Sequence, residues 1–252
     1  KDRSGKLDQQ YNDLPESKAV CEQLLIHNLN KNRAELYLEK ELEISEDIHR
    51  KIESDFARLL QNEPFQYVIG ETFFRGIKIN VEPGVLIPRP ETEELIDIVY
   101  TEENTAEDLN ILDACTGTGC IAIALKHEYP DFNVSAFDID EKILQIAKRN
   151  AEDHNCDIDF FQLDILKPES NKTNQLYDIV VSNPPYVLQS EKKGMSQRVQ
   201  GFEPDIALFV GDDDSLIFYK KILSMFGKNK RRFYFEINPL TIESCKSFLE
   251  KK

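Results

Sequence analysis

From residue 109 to residue 249, short apolar runs alternate with segments of helical spacing, and few folds accept that order. Leu109–Ala114, Asn133–Asp138, Ile158–Leu163, Leu176–Val181 and Phe233–Ile237 read as strands, and Gly119–Tyr129, Glu141–Asp153, Ser215–Phe226 and Leu240–Leu249 read as helices. Strands separated by helices need crossover connections. The expectation is therefore an α/β domain with a mainly parallel sheet and helices on both faces. In open sheets of this kind ligands bind beyond the C-terminal ends of the strands, so those ends are where chemistry should be sought.

The fourth of these strands ends most abruptly. Ile179, Val180 and Val181 form a β-branched run, and Pro184 and Pro185 stop it, because proline has no N–H and a fixed φ. Asn183 then sits on a rigid bend at the strand's C-terminal edge. Its side-chain oxygen and the Pro184 carbonyl are both hydrogen-bond acceptors, and together they can grip the two hydrogens of one NH₂ group. Tyr186 adds a flat face for a planar, conjugated group. The corner suits an amide or an aromatic amine; on these four residues alone, an ordinary Pro-Pro loop explains it as well.

Residues 113–120 (Asp-Ala-Cys-Thr-Gly-Thr-Gly-Cys) join the first strand to its helix. Glycines there let the backbone pass close to a ligand, and the helix start is electropositive. The loop lacks both the G-x-G-x-x-G pattern and G-K-[ST], so it fits neither a dinucleotide nor a P-loop. An acid at Asp113 would repel pyrophosphate and suit an ammonium group, which points to a zwitterionic ligand carrying adenosine. Asp138 ends the next strand, where an acid can accept both ribose hydroxyls. Asp164 and Ile165 follow the third strand, placed to bond an adenine amine and pack its ring. Acids at strand ends are common caps one at a time; four successive strand ends bearing such residues make a site.

The chain upstream differs in kind. Residues 1–13 are polar, and residues 14–62 read as helices. Pro15 lies near a helix start, and Ser45 is a good N-cap, followed by Glu46, Asp47 and the stripe Ile48, Ile52, Phe56, Leu59 and Leu60. Phe65–Gly70, Thr72–Phe74 and Ile77–Val81 read as strands, with Arg75-Gly76 as a hairpin turn. Phe73 and Phe74 should face opposite ways, one into the core and one over the ligand pocket. The expected domains are a helical unit over 1–63 that recognises a partner, a β-hairpin linker over 64–88, and the α/β domain over 89–252. Arg89, held extended between Pro88 and Pro90, can bind a carboxylate beside a pocket or pair with Glu91 or Glu94, and the pairing is favoured.

Composition narrows the partners. The 252 residues carry a net charge of −15, which disfavours a naked nucleic acid as substrate; Lys228–Arg232 is the one local basic run, read as a turn before a strand. There is no run of apolar residues long enough for a transmembrane helix and no apolar signal core at the start. Five cysteines without C-x-x-C spacing argue for reduced thiols and a cytoplasmic setting, and four scattered histidines make no metal pattern.

The order of segments resembles a known family. The helical start, Phe65-Gln66-Tyr67-Val68-Ile69-Gly70, Ile87-Pro88-Arg89-Pro90-Glu91-Thr92-Glu93, the glycine loop, Asn183-Pro184-Pro185-Tyr186, and Phe202-Glu203-Pro204 before Ala207-Leu208-Phe209 look like the peptide chain release factor glutamine methyltransferases, the HemK family. The resemblance implies a Rossmann-like class I methyltransferase domain, S-adenosyl-L-methionine as donor with S-adenosyl-L-homocysteine as product, and the glutamine of a release factor's Gly-Gly-Gln loop as acceptor. It places Cys115, Thr116, Gly117, Thr118 and Gly119 along the methionine part of the donor, Asp138 at the ribose and Ile165 against the adenine, with Asn183, Pro184, Pro185 and Tyr186 on the glutamine amide. A monomer is expected, with no metal and no direct nucleic-acid contact. Glycine is frequent in the family where Cys115 stands, so a negative φ is expected there; an aromatic can replace Ile165, so adenine stacking is expected to be weaker. A further strand pair usually follows the last helix, and the sequence reaches Lys252. Asn-Pro-Pro-Tyr is shared with adenine methyltransferases acting on DNA or RNA, where a flipped base would stack on Tyr186. A donor-binding adaptor without catalysis is the other rival, and the intact Asn-Pro-Pro-Tyr argues against it.

Overall fold

The computed structural model describes residues 6–7, 14–38, 42–103, 108–167, 176–227 and 231–250. Most of the polar start over 1–13, and Lys228–Lys230 of the basic run, lie outside the described residues. Helices are α1 Leu14–Leu29, α2 Arg33–Leu38, α3 Glu46–Leu60, α4 Phe65–Ile69, α5 Glu93–Glu103, α6 Cys120–Glu128, α7 Glu141–Asp153, α8 Gln197–Phe202, α9 Asp205–Leu208, α10 Ile217–Phe226 and α11 Ile242–Leu249. Strands are β1 Glu71–Phe74, β2 Ile77–Asn80, β3 Asn110–Ala114, β4 Asn133–Asp138, β5 Ile158–Gln162, β6 Ile179–Ser182, β7 Val187–Leu188, β8 Phe209–Val210 and β9 Arg232–Phe235. The chain divides into two compact units, one comprising Lys1–Gly70 with Ser196–Phe202, the other Glu71–Met195 with Glu203–Lys252.

The first unit is helical. Ser45 caps α3 by accepting the Ile48 N–H, as its sequence position suggested. Leu7, Leu24, Phe56, Leu59 and Val68 form the buried core. Phe65–Ile69 is a helix here, not the expected strand. The run is rich in β-formers, but Pro64 starts a turn and Gly70 ends it at φ 80°, donating to the Gln66 carbonyl. Arg58 completes the cap: its guanidinium binds the Glu63 carboxylate and donates to the Tyr67 and Val68 carbonyls at 2.9 and 3.0 Å, groups a helix end leaves unpaired. Arg198 of α8 lies 3.9 Å from Glu16 of α1.

The second unit carries the expected parallel sheet. Its order is β5-β4-β3-β6-β9, with every neighbouring pair parallel. The interior strands are apolar because they are covered on both faces: Ile111, Leu112, Ile179, Val180 and Val181 are all fully buried. β1 and β2 form an antiparallel hairpin whose turn places Arg75 at φ 49° and Gly76 at φ 74°. Phe74 is buried, whereas Phe73 is 63% exposed and lines neither cavity described below, so the idea that it roofs the pocket fails. β7 and β8 make a short parallel ribbon that the sequence did not suggest, because two residues carry too little pattern.

Two buried polar side chains hold the glycine loop from beneath. Asn150 of α7 is fully buried; it accepts the Asn80 N–H at 2.9 Å and donates to the Asn80 and Thr118 carbonyls, each at 3.0 Å. One side chain thus satisfies three backbone groups on β2 and the loop. Asp113 is also fully buried and does not reach the cavity, contrary to the ammonium partner expected of it. One of its oxygens accepts the Thr116 hydroxyl and the Ala122 N–H, while the other has no hydrogen bond. Burial pushes its carboxyl up to about 7 against the hydrogen bonds that favour the charge. Ionising Asp113 therefore costs the folded state more than the unfolded one, and its contribution to stability falls as pH rises from about 4 to about 7. Asp113→Asn should remove that slope. In melting curves the variant should gain on the wild type steadily between pH 5 and pH 7; a constant offset would contradict the linkage. Asn150→Ala strands three backbone groups and should cost at least about 2 kcal/mol in urea denaturation, because each unsatisfied buried group costs about 1–3 kcal/mol.

Candidate active site

Parallel pairing sends the C-terminal ends of β3, β4, β5, β6 and β9 the same way. Beyond the first four lies a cavity of about 330 Å³, within the size range of small-molecule sites. Its lining includes Cys115, Thr116, Gly117 and Thr118 after β3, Asp138 at the end of β4, Asp164 and Ile165 after β5, and Asn183 and Pro185 after β6. A second recess of about 30 Å³ shares Leu86, Arg89, Asn183 and Ala207 with it and adds Pro184 and Tyr186. Of the loop residues expected along the donor, Gly119 lines neither, as Asp113 before it does not. The role of Gly119 is packing: it takes φ 82°, and a Cβ there would lie 3.2 Å from the Ala147 Cβ of α7.

The loop after β3 is clamped to the end of β4. Thr116 N–H donates to the Phe137 carbonyl at 2.9 Å, and Gly117 N–H donates to Asp138 Oδ2 at 2.9 Å. Asp138 Oδ1 accepts the Asp140 N–H at 3.3 Å. Each carboxylate oxygen still has a lone pair free to accept a hydroxyl from the cavity. Burial raises the Asp138 carboxyl above its ordinary value, opposed by these backbone N–H groups. Asp164 Oδ1 caps the following turn by accepting the Leu166 N–H at 2.9 Å, and Ile165 is almost fully buried beside it.

Cys115 departs from expectation. Its φ is +62°, so a residue with a Cβ occupies the left-handed region, where the clash with the following carbonyl costs about 1–2 kcal/mol. The chain must turn sharply out of β3 to bring Thr116 under Phe137, and that tether holds the turn. Arg89 also has an unexpected partner: it binds Glu203 at 2.6 Å, not Glu91 or Glu94. Glu203 in addition accepts the Ile87 N–H at 3.4 Å, so the Ile-Pro-Arg-Pro and Phe-Glu-Pro segments are tied together at the rim.

Around Asn183 the structure assembles residues that no local sequence signal connects. Asn183 Nδ2 donates to Thr92 Oγ1 at 3.0 Å. Thr92 Oγ1 donates to Glu236 Oε2 at 2.6 Å, and the Tyr186 hydroxyl donates to Glu236 Oε1 at 2.6 Å. Glu236 directly follows β9, whose Phe235 pairs with Ser182 of β6, and its N–H donates to the Ser182 carbonyl at 3.1 Å. Among the described residues no group donates to Asn183 Oδ1, and no cluster of side chains could hold a metal ion. Val85, Phe137, Ile139 and Ile143 give the large cavity apolar walls. Strand-end acids, an open glycine loop and such walls fit a ligand with a sugar, an aromatic base and a small polar chain.

Comparison with known proteins agrees with this geometry. Residues 92–199 match the methyltransferase small domain family, and residues 4–70 match the PrmC N-terminal domain. The release factor glutamine methyltransferase of Bacteroides thetaiotaomicron is 41% identical over 226 residues, covering 88% of this chain and 80% of that protein. The one from Flavobacterium psychrophilum is 40% identical over 225 residues, covering 87% and 78%. Among solved structures, the hMettl16 catalytic domain in complex with the MAT2A 3′UTR hairpin 6 superposes with a TM-score of 0.54 at 20% identity, covering 70% of this chain and 67% of that one, a likeness of fold alone. With a Rossmann-like sheet, a cavity at its strand ends and relatives of this similarity over most of its length, the chain belongs to the release factor glutamine methyltransferase family.

Proposed function

We propose that the protein transfers a methyl group from S-adenosyl-L-methionine to the side-chain amide nitrogen of the glutamine in the Gly-Gly-Gln motif of peptide chain release factors. The observation that carries this reading is Asn183, whose amide nitrogen is engaged by Thr92 and whose oxygen is left without a donor at the junction of the two cavities. Relatives named for this activity support the substrate class.

The donor, when bound, supplies a methyl group on a positively charged sulfur that is already a good leaving group. The protein's task is alignment. Cys115, Thr116, Gly117 and Thr118 line the part of the cavity suited to the amino-acid end, Asp138 accepts the ribose hydroxyls, Asp164 takes the adenine amine, and Ile165 packs against the ring. Gly119 acts by letting the loop close against α7. Asn183 Oδ1 and the Pro184 carbonyl accept the two amide N–H groups, and Pro185 and Tyr186 hold the rigid bend and its flat wall. An amide lone pair is delocalised toward its carbonyl. Two acceptors on the N–H groups push charge back to nitrogen as it becomes tetrahedral; the N–CH₃ bond would form as the S–CH₃ bond breaks, leaving a neutral thioether, and the nitrogen would shed its surplus proton to water. Holding the nitrogen in line can supply up to roughly 7–11 kcal/mol.

The first unit, with its helices, is assigned to release factor recognition. Action as a monomer is part of the same proposal. The net charge of −15 supports a protein substrate over a nucleic acid, and five free thiols support a cytoplasmic setting; no described helix is long and apolar enough to cross a membrane.

Incubation with radiolabelled donor tests the reading. Label should enter a release factor and should not enter the same factor with its Gly-Gly-Gln glutamine changed to alanine, nor adenine-containing oligonucleotides. Asn183→Ala should lower kcat by a factor of about 100 or more, since it removes one acceptor and the alignment with it. Donor affinity measured by calorimetry should stay within about threefold, as the other strand ends keep the donor's partners. An Asn183→Ala enzyme that turns over normally would defeat the proposal.

A further inference from the structure

We propose that Glu236 is a positioning residue for this reaction: acting through Thr92, it dictates which end of the Asn183 carboxamide faces the cavities. The inference rests on Asn183 being the amide acceptor and adds the group that makes it one. A carboxamide is nearly symmetric in shape, with oxygen on one side and NH₂ on the other, and only its hydrogen-bond partners decide which way it is turned. In one orientation Asn183 presents an acceptor to the substrate, and in the other it presents a donor that would repel the substrate's N–H groups.

Glu236 removes the choice. An ionised carboxylate can only accept, so both hydroxyls that touch it must point their protons inward. Thr92 therefore spends its single proton on Glu236 Oε2 at 2.6 Å, and Tyr186 spends its own on Oε1 at 2.6 Å. Thr92 Oγ1 has only lone pairs left for Asn183, so the group 3.0 Å away must be Nδ2. Oδ1 is thereby turned from Thr92, and no described residue donates to it. The order carboxylate, hydroxyl, amide is a chain with one direction, set at its far end by a charge that does not touch the substrate.

The surroundings keep that chain in register. Thr92 is 2% exposed, so bulk water does not compete for its hydroxyl. The Glu236 N–H is bonded to the Ser182 carbonyl, and the Glu236 carbonyl accepts the Tyr219 hydroxyl at 3.0 Å, which fixes the backbone that carries the carboxylate. Burial and the bond to Glu236 both raise the Tyr186 phenol, so it stays a proton donor at working pH. The same carboxylate therefore also sets the position of the ring that walls the smaller recess.

The test compares Thr92→Val, Thr92→Ser and Glu236→Ala with the wild type in the full-length protein, measuring release factor methylation, donor affinity by calorimetry and melting temperature. Valine keeps the shape of threonine and removes the relay; serine keeps the hydroxyl. Thr92→Val and Glu236→Ala should lower kcat about 30-fold or more with donor affinity held within about threefold, and Thr92→Ser should recover to within about fivefold of wild type. A Thr92→Val enzyme within about threefold of wild-type kcat, or a Thr92→Ser enzyme as impaired as Thr92→Val, would overturn the relay. If Glu236→Ala does not fold, the threonine pair decides alone, because serine and valine differ at that hydroxyl. An active Asn183→Ala enzyme overturns the amide reading and the relay with it, whereas an inactive Asn183→Ala beside an unimpaired Thr92→Val overturns the relay only.

Discussion

The site depends on the parallel pairing of β6 with β3 on one side and β9 on the other. Because the strands run the same way in register, Ala114, Ser182 and Phe235 end level with one another. The chain then leaves each strand differently: through a glycine loop after β3, through two prolines after β6, and through Glu236 after β9. Three segments far apart in sequence are brought side by side by ordinary ladder hydrogen bonds. An antiparallel β6 would put Asn183 at the opposite edge, with none of its partners in reach.

Around that edge the protein uses buried polar groups to fix geometry. Asn150 sets the floor of the glycine loop, Arg89 and Glu203 join two proline-rich segments at the rim, and Glu236 orients two side chains at once. Such networks contribute little net stability when intact and cost a great deal when one member is lost. Their value is a single arrangement of the polar atoms, which in-line transfer to a weak nucleophile demands.

The sheet, its helices and much of the lining of the larger cavity were legible in the sequence. Buried parallel strands must be apolar throughout, and Pro184, Pro185, Gly117 and Gly119 mark where the chain turns. What escaped reading was set by long-range contact. Phe65–Ile69 has the composition of a strand, and Pro64, Gly70 and the Arg58 guanidinium donating to the Tyr67 and Val68 carbonyls make it a helix. Thr92 and Glu236 are 144 residues apart, and Arg89 and Glu203 are 114 apart, so only the register of the folded sheet brings them together. Cys115 breaks a local rule: side chains avoid positive φ when nothing holds them there, and here a tether to β4 does.

Cys115 also bears on chemoselectivity. If the donor sits in this cavity as proposed, a sulfur nucleophile in its lining would be a rival acceptor for the methyl group. Thiolate is the reactive form, and burial together with the nearby Asp138 and Asp113 carboxylates pushes this thiol well above its ordinary range. The proton is thereby held on the sulfur, which weakens this thiol as a rival to the guest nitrogen.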